Sequence, residues 1–306
     1  MKIINNTSLI LSIIIALCYT SCDIIEGPYM IDNGTNPVDT TSNNFVKKVL
    51  IEDYTGHTCP NCPDAARQLE AIQEFYGDQV IGMAVHIGKA FARPYPESMA
   101  PKFQYEFRTK WGEEWDGFFD ITTVGLPRGM INRTEFPDDY RLGKDNWSER
   151  VISELEKDPE FGIIITPEIN GNSGTIDISV EALSNISGTY NIVVCLTESG
   201  IINWQKDGSI EREDYEHNHV LRTILNNGNG EEIGSSFTEG DKWEKTYSIN
   251  ISDLEQFNID YSNNTLLGGN GNAGGWNTTN MQIVAFVYDI TNYEISQVEE
   301  VHLITE

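Results

Sequence analysis

The chain has 306 residues, enough for about two domains. It carries 20 Lys+Arg against 47 Asp+Glu, a formal net charge of −27, so it repels phosphate backbones and nucleic acid is not an expected partner. Hydrophobic residues at 39% and aromatics at 10% supply enough apolar surface for packed cores and exclude global disorder.

The one long apolar stretch is N-terminal. Lys2 precedes the run Leu9–Leu17, and Thr20 and Ser21 then lead to Cys22. This pattern resembles a bacterial lipoprotein signal peptide over residues 1–21. Cys22 is then the lipidated residue, and the lipid anchors the protein to a membrane. Residues 22–44 hold Gly27, Pro28, Gly34 and Pro37 among many Asn, Asp and Thr, which reads as a flexible tether.

Residues 45–160 alternate strand and helix. Val46–Asp53 is a strand with a Val49-Leu50-Ile51 core, and Pro60–Tyr76 has helical apolar spacing stopped by Gly77. Val80–His86 is a second strand. Met99, Phe103, Phe107 and Trp111 recur at four-residue steps, which predicts an amphipathic helix over Pro96–Trp115. Gly129–Asn132 reads as a short strand and Trp147–Lys157 as a helix.

From residue 161 to 306 the pattern becomes strand after strand. Ile163–Ile165, Thr175–Val180, Tyr190–Leu196, His219–Leu225, Lys245–Ile251, Met281–Tyr288 and Ile295–Leu303 are separated by turn-rich clusters. About seven such strands predict an immunoglobulin-like β-sandwich. Gly268–Trp276 is glycine-rich but lacks the strand-to-helix context of a phosphate loop, so it reads as an exposed loop. The expected fold class is therefore α/β plus all-β.

Of five cysteines, Cys18 leaves with the signal, Cys22 takes the lipid, and Cys195 lies in an apolar strand as a small buried hydrophobe. The remaining pair, Cys59 and Cys62, sits in Thr58-Cys59-Pro60-Asn61-Cys62-Pro63, exported to an oxidising compartment. A Cys-x-x-Cys that follows a strand and opens a helix is the thioredoxin arrangement. The helix N-terminus carries partial positive charge and free N–H groups, which favour a thiolate at Cys59. Cys62, one turn in, is the resolving thiol. Pro60 suits the first helical turn, where a missing N–H costs nothing.

Leu126-Pro127 precedes the Gly129–Asn132 strand, where thioredoxin-like folds place a cis-proline facing the cysteines. Either Asp53, by spacing, or Glu52, by its place after the apolar triplet, is the buried acid below the disulfide. Zinc needs four ligands and only Cys59, Cys62 and His57 are local, so no metal is expected. No cofactor motif is present. His217 and His219 stand two apart on an expected strand and share one face. With no third ligand at suitable spacing, they read as a polar strand edge. The acidic stretch Asp207–Asp214 lacks calcium-loop spacing and reads as a solvated charge run.

Three segments carry a family resemblance. Asp53-Tyr54-Thr55-Gly56-His57-Thr58-Cys59-Pro60-Asn61-Cys62-Pro63, Gly125-Leu126-Pro127-Arg128-Gly129-Met130-Ile131-Asn132-Arg133 and Tyr215-Glu216-His217-Asn218-His219-Val220-Leu221-Arg222 resemble the Bacteroidetes 28-kDa outer membrane protein family of lipoproteins. The resemblance implies a thioredoxin-like domain (45–160), a β-sandwich domain (161–306) and attachment to the outer membrane. It implies no defined reaction.

Two functional readings follow. In one, the protein is a thiol–disulfide oxidoreductase acting on peptide or protein substrates, with Cys59 attacking, Cys62 resolving, Pro127 shaping the groove and Asp53 or Glu52 moving protons. In the other, it is a non-catalytic binding or adhesion lipoprotein that presents sandwich loops to a surface ligand.

Overall fold

A computed structural model describes residues 45–264 and 268–304; the signal segment, Cys22 and the tether lie outside them. Strand β1 (Val49–Thr55) leads to helix α1 (Cys62–Tyr76), strand β2 (Val80–His86), helix α2 (Lys110–Phe119), strand β3 (Arg128–Ile131) and helix α3 (Trp147–Leu155). Eight strands follow: β4 (Phe161–Asn170), β5 (Ser173–Ala182), β6 (Ile186–Glu198), β7 (Ile201–Asp207), β8 (Ile210–His217), β9 (Val220–Ile224), β10 (Glu231–Phe237) and β11 (Lys242–Asn250). Helix α4 (Ile251–Asn264) then precedes β12 (Met281–Asp289) and β13 (Ile295–His302).

The main sheet has the order β13-β12-β6-β9-β2-β1-β3, with β10 branching from β6. β1 is parallel to β2 and antiparallel to β3. The join between the early and late strands is narrow. It rests on the pair Ala84↔Val220 and on the Ala84 N–H donating to the His219 carbonyl at 2.8 Å. The sheet thus runs across the 160/161 boundary expected from the sequence, and the residues from Asn44 onward form one compact unit.

Alternation of side chains divides the cores. In β6, Ile192, Val194 and Leu196 face a core shared with the three-stranded sheet β11-β5-β4, as do Ile283, Ala285 and Val287 of β12. This stack is the β-rich layer pair of the second half. The opposite residues Val193, Cys195, Val284 and Phe286 join Leu50, Met83, Val85, Trp115 and Phe119 in a core common to both halves. Cys195 is free and fully buried there, and desolvation pushes its thiol pKa well up. A third cluster packs Ala65, Leu69 and Ile72 of α1, with Trp147 and Val151 of α3, on Val49 and Ile51.

Several local expectations need correction. The segment 96–115 is not one helix. Its only early helical turn is Glu97–Met99, and α2 starts at Lys110, capped by Thr109 Oγ1 accepting from the Gly112 N–H at 3.0 Å. Pro101 lacks an N–H and pushes Ala100 out of helical conformation. Phe103 and Phe107 are buried from a loop instead. The exposed charge run Asp207–Asp214 is the turn and outer strand of a hairpin, β7–β8. His217 ends β8, while His219 takes φ +57 between strands, so the two do not share a strand face.

Candidate functional site

The Cys-x-x-Cys loop leaves the C-terminal end of β1. Gly56 is required there, because an added Cβ would lie 2.4 Å from the Phe91 carbonyl oxygen. That oxygen accepts from both the Thr58 N–H and the Thr58 hydroxyl, each at 2.9 Å. The Cys59 N–H donates to the Gly56 carbonyl at 3.0 Å. Cys59 and Cys62 form a disulfide with a Cα–Cα separation of 5.4 Å. The helix begins at Cys62 with Asn61 as its N-cap residue, and the proline of its first turn is Pro63. Pro60 therefore lies in the turn before the helix rather than in its first turn.

The disulfide is sealed: Cys59 is 1% and Cys62 2% exposed. The hairpin β7–β8 covers it. The Lys206 N–H donates to the His57 carbonyl at 2.9 Å and the Gly208 N–H to the Pro60 carbonyl at 2.8 Å. The buried Gln205 amide donates to the carbonyls of Cys59, at 3.1 Å, and Gly56, at 3.4 Å. Two exposed ion pairs tie the hairpin tip down, Arg67–Asp207 at 3.2 Å and Lys102–Glu211 at 2.6 Å.

Beneath the hairpin lies a polar layer. A cavity of about 40 Å³ touches Asp53, Cys62, His86, Gln205, His217 and His219. Oδ1 of Asp53, Nδ1 of His86, Nε2 of His217 and Nδ1 of His219 are buried there without a hydrogen-bond partner. Burial pushes Asp53 up to about 8. Desolvation, reinforced by His217 and Arg108, holds His57 down at about 3. Desolvation likewise lowers His217 to about 3, His219 to about 4, and His86 well below its ordinary value. The imidazoles are therefore neutral at physiological pH. The Phe107 ring stands among them, 4.5 Å from the rings of His86 and His217 and 5.7 Å from His57. Among the described residues no group of three or more His, Cys, Asp or Glu is placed to hold a metal ion.

The family model of outer membrane protein Omp28 matches residues 115–266. Over that stretch the chain is similar to the Omp28 family of outer membrane proteins. The match supports an outer-membrane location. None of the curated proteins compared with the chain matches it. Among solved structures, HBP35 of Porphyromonas gingivalis is 15% identical over 86% of this chain and 77% of its own, with a TM-score of 0.57, a likeness of fold. A protein of Agrobacterium tumefaciens is 10% identical over 86% of this chain and 98% of its own, at a TM-score of 0.48. A domain of the outer membrane lipoprotein Omp28 from Porphyromonas gingivalis is 22% identical over 47% of this chain and 88% of its own, at a TM-score of 0.28. No helix among the described residues is long and apolar enough to cross a membrane.

In this Omp28-like chain the two candidate acids part ways. Glu52 and Asp53 are neighbours in β1, so they point to opposite faces of the sheet. Asp53 lines the cavity with Cys62. Glu52 turns to the shared core and accepts from the Arg133 guanidinium at 2.8 and 2.7 Å. The Arg133 cation lies over the rings of Trp115, Phe119 and Phe286. Glu52 is thus committed to Arg133, away from the cysteines. The Leu126–Pro127 bond is cis. Pro127 directly precedes β3, whose Arg128 pairs with Tyr54, so it stands beside the end of β1 from which the cysteine loop departs. Cys22 lies outside the described residues.

Gln205 and His86 belong to the site and carried no sequence signal. Gln205 is one polar residue in a charged stretch, and His86 closes a strand with nothing beside it in sequence to mark it. His217 was visible as half of a pair, but its partners, Phe107 and His86, come from distant segments.

Proposed function

We propose that the protein is an outer-membrane lipoprotein, anchored through Cys22, that carries out thiol–disulfide exchange at Cys59–Cys62 on a thioredoxin-like frame. The order strand, Cys-x-x-Cys, helix, parallel strand, helix, Leu126-Pro127, antiparallel strand, helix supports that frame. The immunoglobulin-like reading of the later strands rests on their two-layer packing. The observation that carries the redox reading is the Asp53 carboxyl, its Oδ1 buried without a hydrogen-bond partner, in the same small cavity as Cys62. A group buried near a disulfide with its pKa drawn to about 8 is suited to proton exchange near neutrality.

In this reading a substrate thiolate attacks Cys59 Sγ. A mixed disulfide forms, the Cys59–Cys62 bond breaks, and Cys62 leaves as a thiolate. Protonated Asp53 gives its proton to that thiolate. The second thiol of the substrate loses its proton to bulk solvent, attacks its own mixed-disulfide sulfur and releases Cys59. The substrate dithiol ends oxidised by two electrons and the cysteine pair ends reduced; run backwards, the same steps reduce a substrate disulfide. Pro127, beside the loop, shapes the approach.

The test is insulin reduction by the mature protein with dithiothreitol as electron source, against Cys59→Ser. Turnover above the variant is expected; equal rates end the enzyme reading. The 1–2% exposure of the pair favours a second reading, in which the disulfide is a scaffold element and the protein binds a surface ligand. In that case the Gly268–Trp276 loop is not a free finger. The Glu106 N–H donates to the Asn272 carbonyl, the Tyr105 hydroxyl to the Gly274 carbonyl, and the Gly275 N–H to Glu255. A strongly reducing potential and no iodoacetamide labelling of Cys59 would mark the scaffold.

A further inference from the structure

The hairpin that seals the disulfide has the construction of a moving part. It is an excursion from the main sheet. β6 ends at Glu198 and β9 begins at Val220, and those two residues pair with each other. Everything between leaves the sheet and returns at the same place. Both ends of the excursion carry left-handed backbone: Gly200 at φ +72 and His219 at φ +57. They are tied across the neck by the Gly200 N–H to Asn218 Oδ1, at 2.8 Å, and the His219 N–H to Ser199 Oγ, at 3.0 Å. The neck is therefore fixed to the sheet while the arm projects from it.

The arm itself pairs only internally, β7 with β8. An isolated two-stranded hairpin is at best marginally stable in water. Its outer strand is mostly exposed, including Ile210 at 62%. What seats it is a limited set of contacts: two backbone hydrogen bonds to the cysteine loop, the Gln205 amide, the buried His217 ring, the Trp204 ring against Phe103, the Lys206 and Lys102 cations over neighbouring rings, and the two surface ion pairs. Segments held by few buried contacts open locally at a cost below that of global unfolding.

We propose that β7–β8 is a hinged strap that must lift before any thiol reaches Cys59, so that strap opening regulates the disulfide. The Lys206 and Gly208 amides occupy the carbonyls of the loop that an approaching polypeptide would otherwise meet. Lifting the strap frees the Cys59 and Pro60 carbonyls together with the sulfur. The biological weight of this inference rests on the exchange reading above, but access to the disulfide is measured without it.

The experiment uses the full mature chain and two exposed residues outside the cysteine loop. The rate at which dithiothreitol reduces Cys59–Cys62, read by alkylation and mass, is compared between wild type and Arg67→Ala/Lys102→Ala. Removing both tip ties, with the Lys102 cation that also lies over the Trp204 ring, raises the rate roughly 2- to 10-fold, the effect of losing exposed charge contacts, with the urea midpoint nearly unmoved. Hydrogen exchange gives a second readout that needs no variant: the Lys206 and Gly208 amides exchange well ahead of core amides such as that of Val193. An unchanged reduction rate in the double variant, or strap amides protected as well as the core, overturns the proposal. The two readings fail separately. Insulin reduction absent with faster chemical reduction in the variant leaves the strap and removes the exchange activity. Insulin reduction present but unmoved by the variant does the reverse.

Discussion

The two adjacent acids of β1 are the sharpest case at the residue scale. Both are buried, yet their environments differ in kind. Glu52 is fully compensated by the two-pronged contact with Arg133, whose charge is itself cradled by aromatic faces. Removing one partner of such a pair strands the other charge in a desolvated site. Glu52→Ala is therefore expected to cost about 3–5 kcal/mol, read from urea unfolding. Asp53 has the reverse economy. Its carboxyl, pushed up to about 8, keeps its proton in the folded state while the unfolded chain gives it up above about pH 4. The folded state thus loses ground as pH rises from about 4 to about 8, at up to about 1.4 kcal/mol per pH unit. Asp53→Asn removes that slope. The variant should gain on wild type between pH 5 and pH 8, and parallel urea midpoints for the two proteins would contradict the assignment.

At the scale of elements, α3 depends on close approach to the sheet. A Cβ on Gly129 would fall 2.4 Å from the Trp147 indole, so β3 and α3 meet only because position 129 has no side chain. Gly129→Ala forces the indole away and is expected to destabilise by about 1–3 kcal/mol, read as a lower urea midpoint. A midpoint equal to wild type would show that α3 docks elsewhere. Elements like this one, with an apolar period, were legible in the sequence: β1, β2, α1, β6 and β12 all keep one clear face or full burial. The elements that escaped have no such face. The strap buries Gln205 and His217 but exposes Ile202 and Ile210, which reverses the usual code. The inward-facing residues of α4 are Ile251, Asn258 and Ser262, two of them polar, so no apolar stripe marks it. Asn258 is inside because its amide donates to the Arg222 carbonyl, a partner that no local pattern can supply. The segment 96–115 failed for the opposite reason. Its aromatic spacing looks helical, but the rings reach the core from an irregular loop broken at Pro101. Within the site, the pairing of Cys59 with Cys62 could be read from the motif. That Glu52 and Asp53 face different surroundings needed the sheet, and the strap needed the tertiary fold.

Across the whole molecule, burying imidazoles in one layer has a consequence for acid stability. His57, His86, His217 and His219 are neutral when folded: desolvation holds His57 and His217 at about 3 and His219 at about 4, and keeps His86 well below its ordinary value. In the unfolded chain each returns to about 6.5. Below pH 6.5 the unfolded state therefore binds protons that the folded state refuses, and stability falls as pH drops. Asp53 and Glu300, pushed up by burial to about 8 and about 7, act in the other direction, because the folded state holds their protons. Between about pH 4.5 and 6.5 the four imidazoles outweigh the two carboxyls. The net difference is about two protons, or about 3 kcal/mol per pH unit at its steepest. A chain with a net charge of −27 would, on charge repulsion alone, gain stability as acid neutralises it. The histidine layer predicts the opposite sign. Urea midpoints should change little from pH 7 to 6 and fall clearly from pH 6 to 5, and His86→Phe, which keeps a ring against Phe107 but removes one titrating group, should make the fall shallower by about one proton. A midpoint that holds or rises toward pH 5 would mean that these imidazoles accept protons while buried, and that the layer beneath the strap is wet and charged rather than neutral.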